Sequence, residues 1–258
     1  LDFRTLGIYA RLMELAGIFL LALLASTLTF FSGFGLGTLL LPAFLVLHPD
    51  RPQEAVLAVA LVHVTNNLLK GGLTFKWLDV RTALIFGLFS AGAAAAGAWA
   101  LESLNGPLAQ RAIGWILLVF ALFEFLPTKG TEQSWANRPR AWILGGLLSG
   151  FAGGFSGHQG ALRSFFLTRT GWSAQQVVAT GTAVALAVDL SRIPVYLWRG
   201  DDLHADWWPV VAFGAAGALL GSLLGRRFLP KLTLRPLQIF VALGLTLLGI
   251  RLLWLSYL

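Results

Sequence analysis

Four groups of polar residues stand inside runs of apolar sequence, where an ionisable side chain is costly and marks function. The first is His158, Gln159 and Arg163, within Ser156-Gly157-His158-Gln159-Gly160-Ala161-Leu162-Arg163. A helix starting after the Gly break aims free N–H groups and the positive end of its dipole at that break. With His158 and Arg163 beside it, the arrangement suits an anion. Arg163 at a helix end, snorkelling to headgroups, is the alternative. The second group is His63, Asn66, Asn67 and Lys70. His63, Asn67 and Lys70 are spaced four and three apart, so they share one helix face. The third is Asp189 and Arg192, three apart and likewise on one face, readable also as a structural salt bridge. The fourth is Glu124, which precedes Pro127 near a block end and fits an interface.

The chain around them is built for a bilayer. Of its 258 residues, 57% are hydrophobic and 12% charged, too few charges to face water all round. Apolar blocks run over 15–47, 53–72, 81–101, 107–126, 141–169, 173–199, 207–228 and 234–257, most near the roughly 20 residues that a span needs. The net charge of +7 comes from basic residues between the blocks, such as Lys129, Arg138 and Arg140, as expected beside anionic headgroups. Trp77, Trp99, Trp135, Trp142, Trp172, Trp198, Trp207 and Trp208 fall near block ends, as an interfacial belt does. No cleavable signal peptide stands out, because the first strong block runs into Gly-rich sequence without a small-residue cleavage site.

Several classes are excluded. The chain has no cysteine, which removes disulfides, thiolate catalysis and cysteine metal sites. Ser156, His158 and Asp189 can be written as a triad, but no nucleophile-elbow motif accompanies them. The four His lie on separate blocks without metal-ligand spacing. No phosphate-binding loop, dinucleotide fingerprint or nucleic-acid motif occurs. No cofactor is called for.

The chain also repeats. Phe31-Ser32-Gly33 recurs as Phe155-Ser156-Gly157, and Gln53-Glu54-Ala55-Val56 corresponds to Gln175-Gln176-Val177-Val178. In the same register Asn67 falls on Asp189 and Lys70 on Arg192, and Phe86-Gly87 answers Phe213-Gly214. The common order points to a duplication, with 1–127 and 141–258 as membrane repeats and 128–140 as the linker. Internal repeats are typical of secondary transporters, whose site lies near mid-membrane between them. The repeats are inverted if each half crosses an odd number of times and parallel if even.

The first block of each half is unusual. As one helix, 15–47 would stretch about 50 Å, too long for a core of roughly 30 Å. It contains Gly33, Gly35, Gly37 and Pro42, and its counterpart contains Gly157 and Gly160 among other glycines. A helix broken in the bilayer, or followed by a re-entrant one, fits both, and such backbone is tolerated only around protein or a water-filled cavity. By contrast Gly214, Gly217, Gly221 and Gly225 read as close helix packing. The expected fold is therefore all-α and polytopic, with about eight transmembrane helices in two homologous halves.

Ser32-Gly33-Phe34-Gly35-Leu36-Gly37 with Leu41-Pro42, Ala55-Val56 and Thr65-Asn66-Asn67 resemble the sulfite exporter TauE/SafE family, the TSUP permeases. So do Gly150 to Gly160 and Ala179-Thr180-Gly181-Thr182 in the second half, in the family's order. The resemblance implies a multi-pass permease in the cytoplasmic (inner) membrane of a prokaryote. It implies transport of sulfur-containing anions, such as sulfite and organosulfonates, coupled to an ion gradient. The second Gly-rich element departs from the family's, which continues into more Gly and a Pro; here His158 and Arg163 follow and no Pro comes before Pro194. The chain reads as a divergent member.

The expectation is a secondary active exporter of such an anion, not an enzyme. Gly33, Gly35, Gly37, Gly157 and Gly160 would present backbone N–H groups. Asn66, Asn67, His158, Gln159 and Arg163 would supply hydrogen bonds, and Lys70 and Arg192 positive charge. His63, His158 and Asp189 would couple protons. A passive anion channel, and a membrane enzyme or scaffold, are the alternatives. The partners are a small anion, membrane lipids and a coupling proton or cation, with a homodimer left open and no nucleic acid.

Overall fold

The computed structural model describes residues 3–30, 36–125, 135–199, 203–228 and 235–256. The described residues form α1 (Phe3–Thr29), α2 (Gly37–Leu47), α3 (Pro52–Thr74), α4 (Val80–Glu102) and α5 (Gly106–Phe125), then α6 (Pro139–Ser156), α7 (Gly160–Leu167), α8 (Ala174–Arg199), α9 (Trp207–Phe228) and α10 (Arg235–Leu255). Five helices among them are long and apolar enough to cross a membrane by length and composition. Leu84, Leu88, Leu190, Leu247 and Trp254 stand exposed on the outside, a surface suited to lipid and not to water.

Local signals set the ends. Proline occupies the first turn of α3 and of α6, where the missing N–H costs nothing. Asp79 caps α4 by accepting from the Thr82 N–H at 2.8 Å. Gly157 ends α6 at φ 75° with its N–H on the Gly153 carbonyl, a left-handed cap that glycine adopts without strain. α1 begins at Phe3, well before residue 15, and within it Arg11 donates to Glu14 at 2.8 Å.

α2 and α7 have 11 and 8 residues, so they rise only about 16 and 12 Å. Each folds back along the helix before it. α2 brings His48 to 3.9 Å from Glu14 of α1. α7 sets Gln159 beside Gly153 and Phe166 beside Gly145 of α6. The ends of the two hairpins meet inside the protein, where a Cβ on Gly37 would lie 3.0 Å from the Gly157 carbonyl. Gly33 and Gly35 lie outside the described residues, as does the Glu124 side chain.

Glycine contacts define the directions. Gly217, Gly221 and Gly225 of α9 stand in order against Phe19, Leu23 and Thr27 of α1, so these helices are parallel. Gly146, Gly150 and Gly154 of α6 meet Phe86, Ser90 and Ala94 of α4 in the same way. α3 and α8 are antiparallel, since His63 reaches Asp189 while Gly71 faces Leu186 and Thr182. α5 and α10 are antiparallel too: Arg111 reaches Ser256, and Gly114 meets Gly249. Two of the Trp depart from the expected belt: Trp207 is buried against Phe44 and His48, and Trp142 is buried with its indole N–H on the Ala136 carbonyl. Side-chain packing against a neighbouring helix, not position near a block end, decides their burial.

A Cβ at position 154 would overlap the Ala94 backbone. Gly154→Ala is thus expected to part α4 from α6 and to lower stability by about 1–3 kcal/mol, as overpacking does. Gly92→Ala on α4, where nothing lies within 4 Å, should be neutral or stabilising. Melting curves of the two variants in detergent check this.

Candidate functional site

α3 and α8 cross antiparallel at the centre and carry the polar groups there. Asp189 is wholly buried and every neighbour faces it with a donor. Arg192 donates to its Oδ1 from Nε at 3.1 Å and from Nη2 at 2.7 Å. Asn67 Nδ2 donates to Oδ2 at 3.0 Å, and His63 Nδ1 lies 2.8 Å from the same oxygen, which places the imidazole proton on Nδ1. The third Arg192 nitrogen, Nη1, donates to the Gly153 carbonyl at 2.7 Å, and the Tyr196 hydroxyl donates to the Gly154 carbonyl. Arg192 is therefore committed to Asp189 and to α6, and it does not line the cavity described next.

Beside this cluster lies a small polar cavity, lined by His63, Asn66, Asn67 and Lys70 of α3, Arg163 of α7 and Thr182 of α8 among others. The cavity holds about 20 Å³, room for a water and little more. Asn66 is oriented by hydroxyls from two other helices: Ser26 and Ser222 both donate to its Oδ1, at 3.2 and 2.8 Å. Its Nδ2 is left as a donor at the cavity wall. Lys70 Nζ donates to the Thr29 carbonyl at 3.3 Å and sits 4.9 Å over the Phe30 ring. Arg163 lies against Gly181, where a Cβ would stand 3.3 Å from its Nε, and its Nη1 has no hydrogen-bond partner.

The hairpin tip holds the rest. His158 Nδ1 donates to the Ser156 carbonyl at 2.9 Å, which leaves Nε2 as a bare acceptor, buried near Phe120. The amide oxygen and nitrogen of Gln159 are buried and unpartnered as well. Gly157, His158, Gln159 and Gly160 stand behind the cavity and do not line it, and Gly37 is packed on Gly157. Ser156 donates its hydroxyl to the Ala152 carbonyl at 3.0 Å and Asp189 is taken by His63, Asn67 and Arg192. These three residues thus do not form a nucleophile–base–acid relay.

Ser26, Ser222, Thr182 and Tyr196 belong to this constellation but escape a reading that looks for ionisable groups. Ser26 and Ser222 are hydroxyls inside apolar runs, and Tyr196 falls four residues after Arg192 on the same face, which is the signal that points to them. A family model described as Sulfite exporter TauE/SafE matches residues 18–252. Neither the curated proteins nor the solved structures contain a match to the chain.

Proposed function

The chain belongs to the sulfite exporter TauE/SafE family, a family of membrane transporters, and from that premise we propose a secondary active exporter of a small sulfur-containing anion. Sulfite and organosulfonates are the substrates, and the anion binds between the hairpins and the crossing of α3 with α8, where the water-sized cavity widens as the α7 tip moves. One observation carries this reading. Lys70 and Arg163 converge on a buried cavity whose one neighbouring carboxylate among the described residues, Asp189, is already neutralised by Arg192. A buried Arg163 and a half-buried Lys70 without a counter-ion are costly, and a bound oxyanion supplies the missing charge. Asn66 Nδ2 adds a neutral donor, while Gly157, His158, Gln159 and Gly160 receive the anion as the tip moves. Arg192 acts through Asp189 and not on the anion. His63, between the cavity and Asp189, is the first candidate to exchange a proton, with His158 and Asp189 the others.

The architecture we propose is two inverted repeats, α1–α5 and α6–α10, in the inner membrane of a prokaryote, with α2 and α7 entering only part-way. What supports it is the exchange of partners: α1 packs on α9 as α6 packs on α4. The equivalent pairs α3/α8 and α5/α10 run antiparallel, as an axis in the membrane plane demands. Because α2 and α7 turn back along α1 and α6, each hairpin makes no net crossing, and α3–α5 and α8–α10 give each half three, the odd number that inversion needs.

Proteoliposomes loaded with labelled sulfite test the function. Sulfite should move against its own gradient when a pH or cation gradient is imposed, and organosulfonates should compete. Movement only down its gradient, indifferent to any imposed ion gradient, identifies a passive channel and overturns the reading.

A further inference from the structure

α3 and α8 carry three layers in matching order. From the start of α3, Gln53, Glu54 and Leu57 line a polar vestibule of about 380 Å³, His63 sits in the buried ionic cluster, and Asn66, Asn67 and Lys70 reach the cavity. Read from the end of α8, Arg199 and Tyr196 line the vestibule, Arg192 and Asp189 form the cluster, and Thr182 reaches the cavity. The layer between the two spaces is thin. From Tyr196 to Asp189 is about 10 Å along the helix. Ala58, Val59 and Val62, all wholly buried, occupy the same stretch of α3, and on α8 it holds the two side chains that bind α6.

Those two side chains grip consecutive carbonyls. Tyr196 donates to Gly154 and Arg192 to Gly153, one turn before the left-handed Gly157 at which the α6–α7 hairpin turns back. Arg192 keeps two further bonds to Asp189, but Tyr196 has its ring at the vestibule and its hydroxyl on α6. Releasing the Gly154 carbonyl therefore loosens the end of α6, leaving Arg192 on Gly153 as the remaining tie, without uncovering a buried charge. We propose that the vestibule is one mouth of the transport pathway, and that Tyr196, backed by Arg192, is the gate that closes it by holding α6 to α8. The proposal rests on the reading of the chain as an anion transporter. It adds the route and the residues that shut it.

The chain has no cysteine, so an introduced thiol is the sole target of a charged, membrane-impermeant thiosulfonate reagent. Gln53→Cys should react from one face of sealed vesicles, and that face is the vestibule side. Thr182→Cys, in the cavity, should be protected from that face. Adding Tyr196→Phe removes one buried hydrogen bond and should speed Thr182→Cys labelling from the vestibule face by about fivefold. An unchanged rate in a variant that melts like its parent overturns the gate, and so does Thr182→Cys reacting from that face as fast as Gln53→Cys. Should Tyr196→Phe fail to fold, Leu57→Cys blocked with a bulky thiol reagent decides: sulfite flux stops if the vestibule is the mouth and continues if it is not. Labelling needs no substrate. A labelling shift without sulfite flux therefore counts against the substrate, and flux without the shift counts against the gate.

Discussion

Asp189→Ala should destabilise the protein by about 3–5 kcal/mol, the cost of stranding a buried charge. Arg192 is wholly buried, and removal of its carboxylate leaves one donor on the Gly153 carbonyl and two with nowhere to go. His63 and Asn67 lose the same acceptor. Because α3 comes from the first half of the chain and α8 from the second, the loss also loosens the contact between them. Removing both charges together, with Asp189→Ala and Arg192→Met, should recover much of the stability. The Gly153 carbonyl keeps the Gly157 N–H at 3.0 Å in that variant. Transport should not return with stability, because the grip on α6 and the neighbour of His63 are both gone. Thermal unfolding in detergent, set beside sulfite flux, separates the two effects. Equal loss in the single and double variants would show that the ion pair is not the source.

Arg163→Ala and Lys70→Ala should each weaken sulfite binding by about tenfold to a hundredfold, the worth of a charge-assisted hydrogen bond. Their effect on the empty protein should have the opposite sign to that of Asp189→Ala. Each removes a cation, buried at Arg163 and half-buried at Lys70, that has no carboxylate partner among the described residues, so the desolvation cost it carries disappears. The empty variants should melt at the parent temperature or above it, while stabilisation by added sulfite vanishes. Arg226→Ala, exposed at the end of α9, should leave sulfite affinity alone. Equal loss of affinity in Arg226→Ala would mean that surface charge, and not the cavity, draws the anion. Retained sulfite stabilisation in the Arg163→Ala, Lys70→Ala double variant would remove the cavity as the site.

Much of this arrangement is legible in the residues because it is local. Membrane residence follows from long apolar blocks, since a bilayer demands them of any helix that spans it. The break at Gly157 follows from glycine's access to the left-handed region, and the short α7 after it from the helix restarting at once. His63, Asn67 and Lys70 lie on one face by spacing alone, and four-residue spacing along α9 foretells a close neighbour. Polar residues within such blocks announce a site because burying them unpaired is costly.

Other features depend on which helix lies beside which, and no local pattern carries that. Arg192 and Arg163 look alike in the chain, each a cation in an apolar block. Only the packing of α8 on α6 turns Arg192 to the Gly153 carbonyl, and only the fold-back of α7 leaves Arg163 at the cavity. Ser26, Asn66 and Ser222 come from three helices and mean nothing until α1, α3 and α9 run parallel and bring them within hydrogen-bond reach. Asp189 could pair with Arg192 three residues on by spacing alone, yet its bonds to His63 and Asn67 span more than 120 positions. The sequence by itself determined an apolar, Gly-broken, helical membrane chain with its polar residues in two places. The tertiary structure decided which of those residues neutralise one another and which remain for an anion, because charge pairing is set by distances between helices and not by order along the chain.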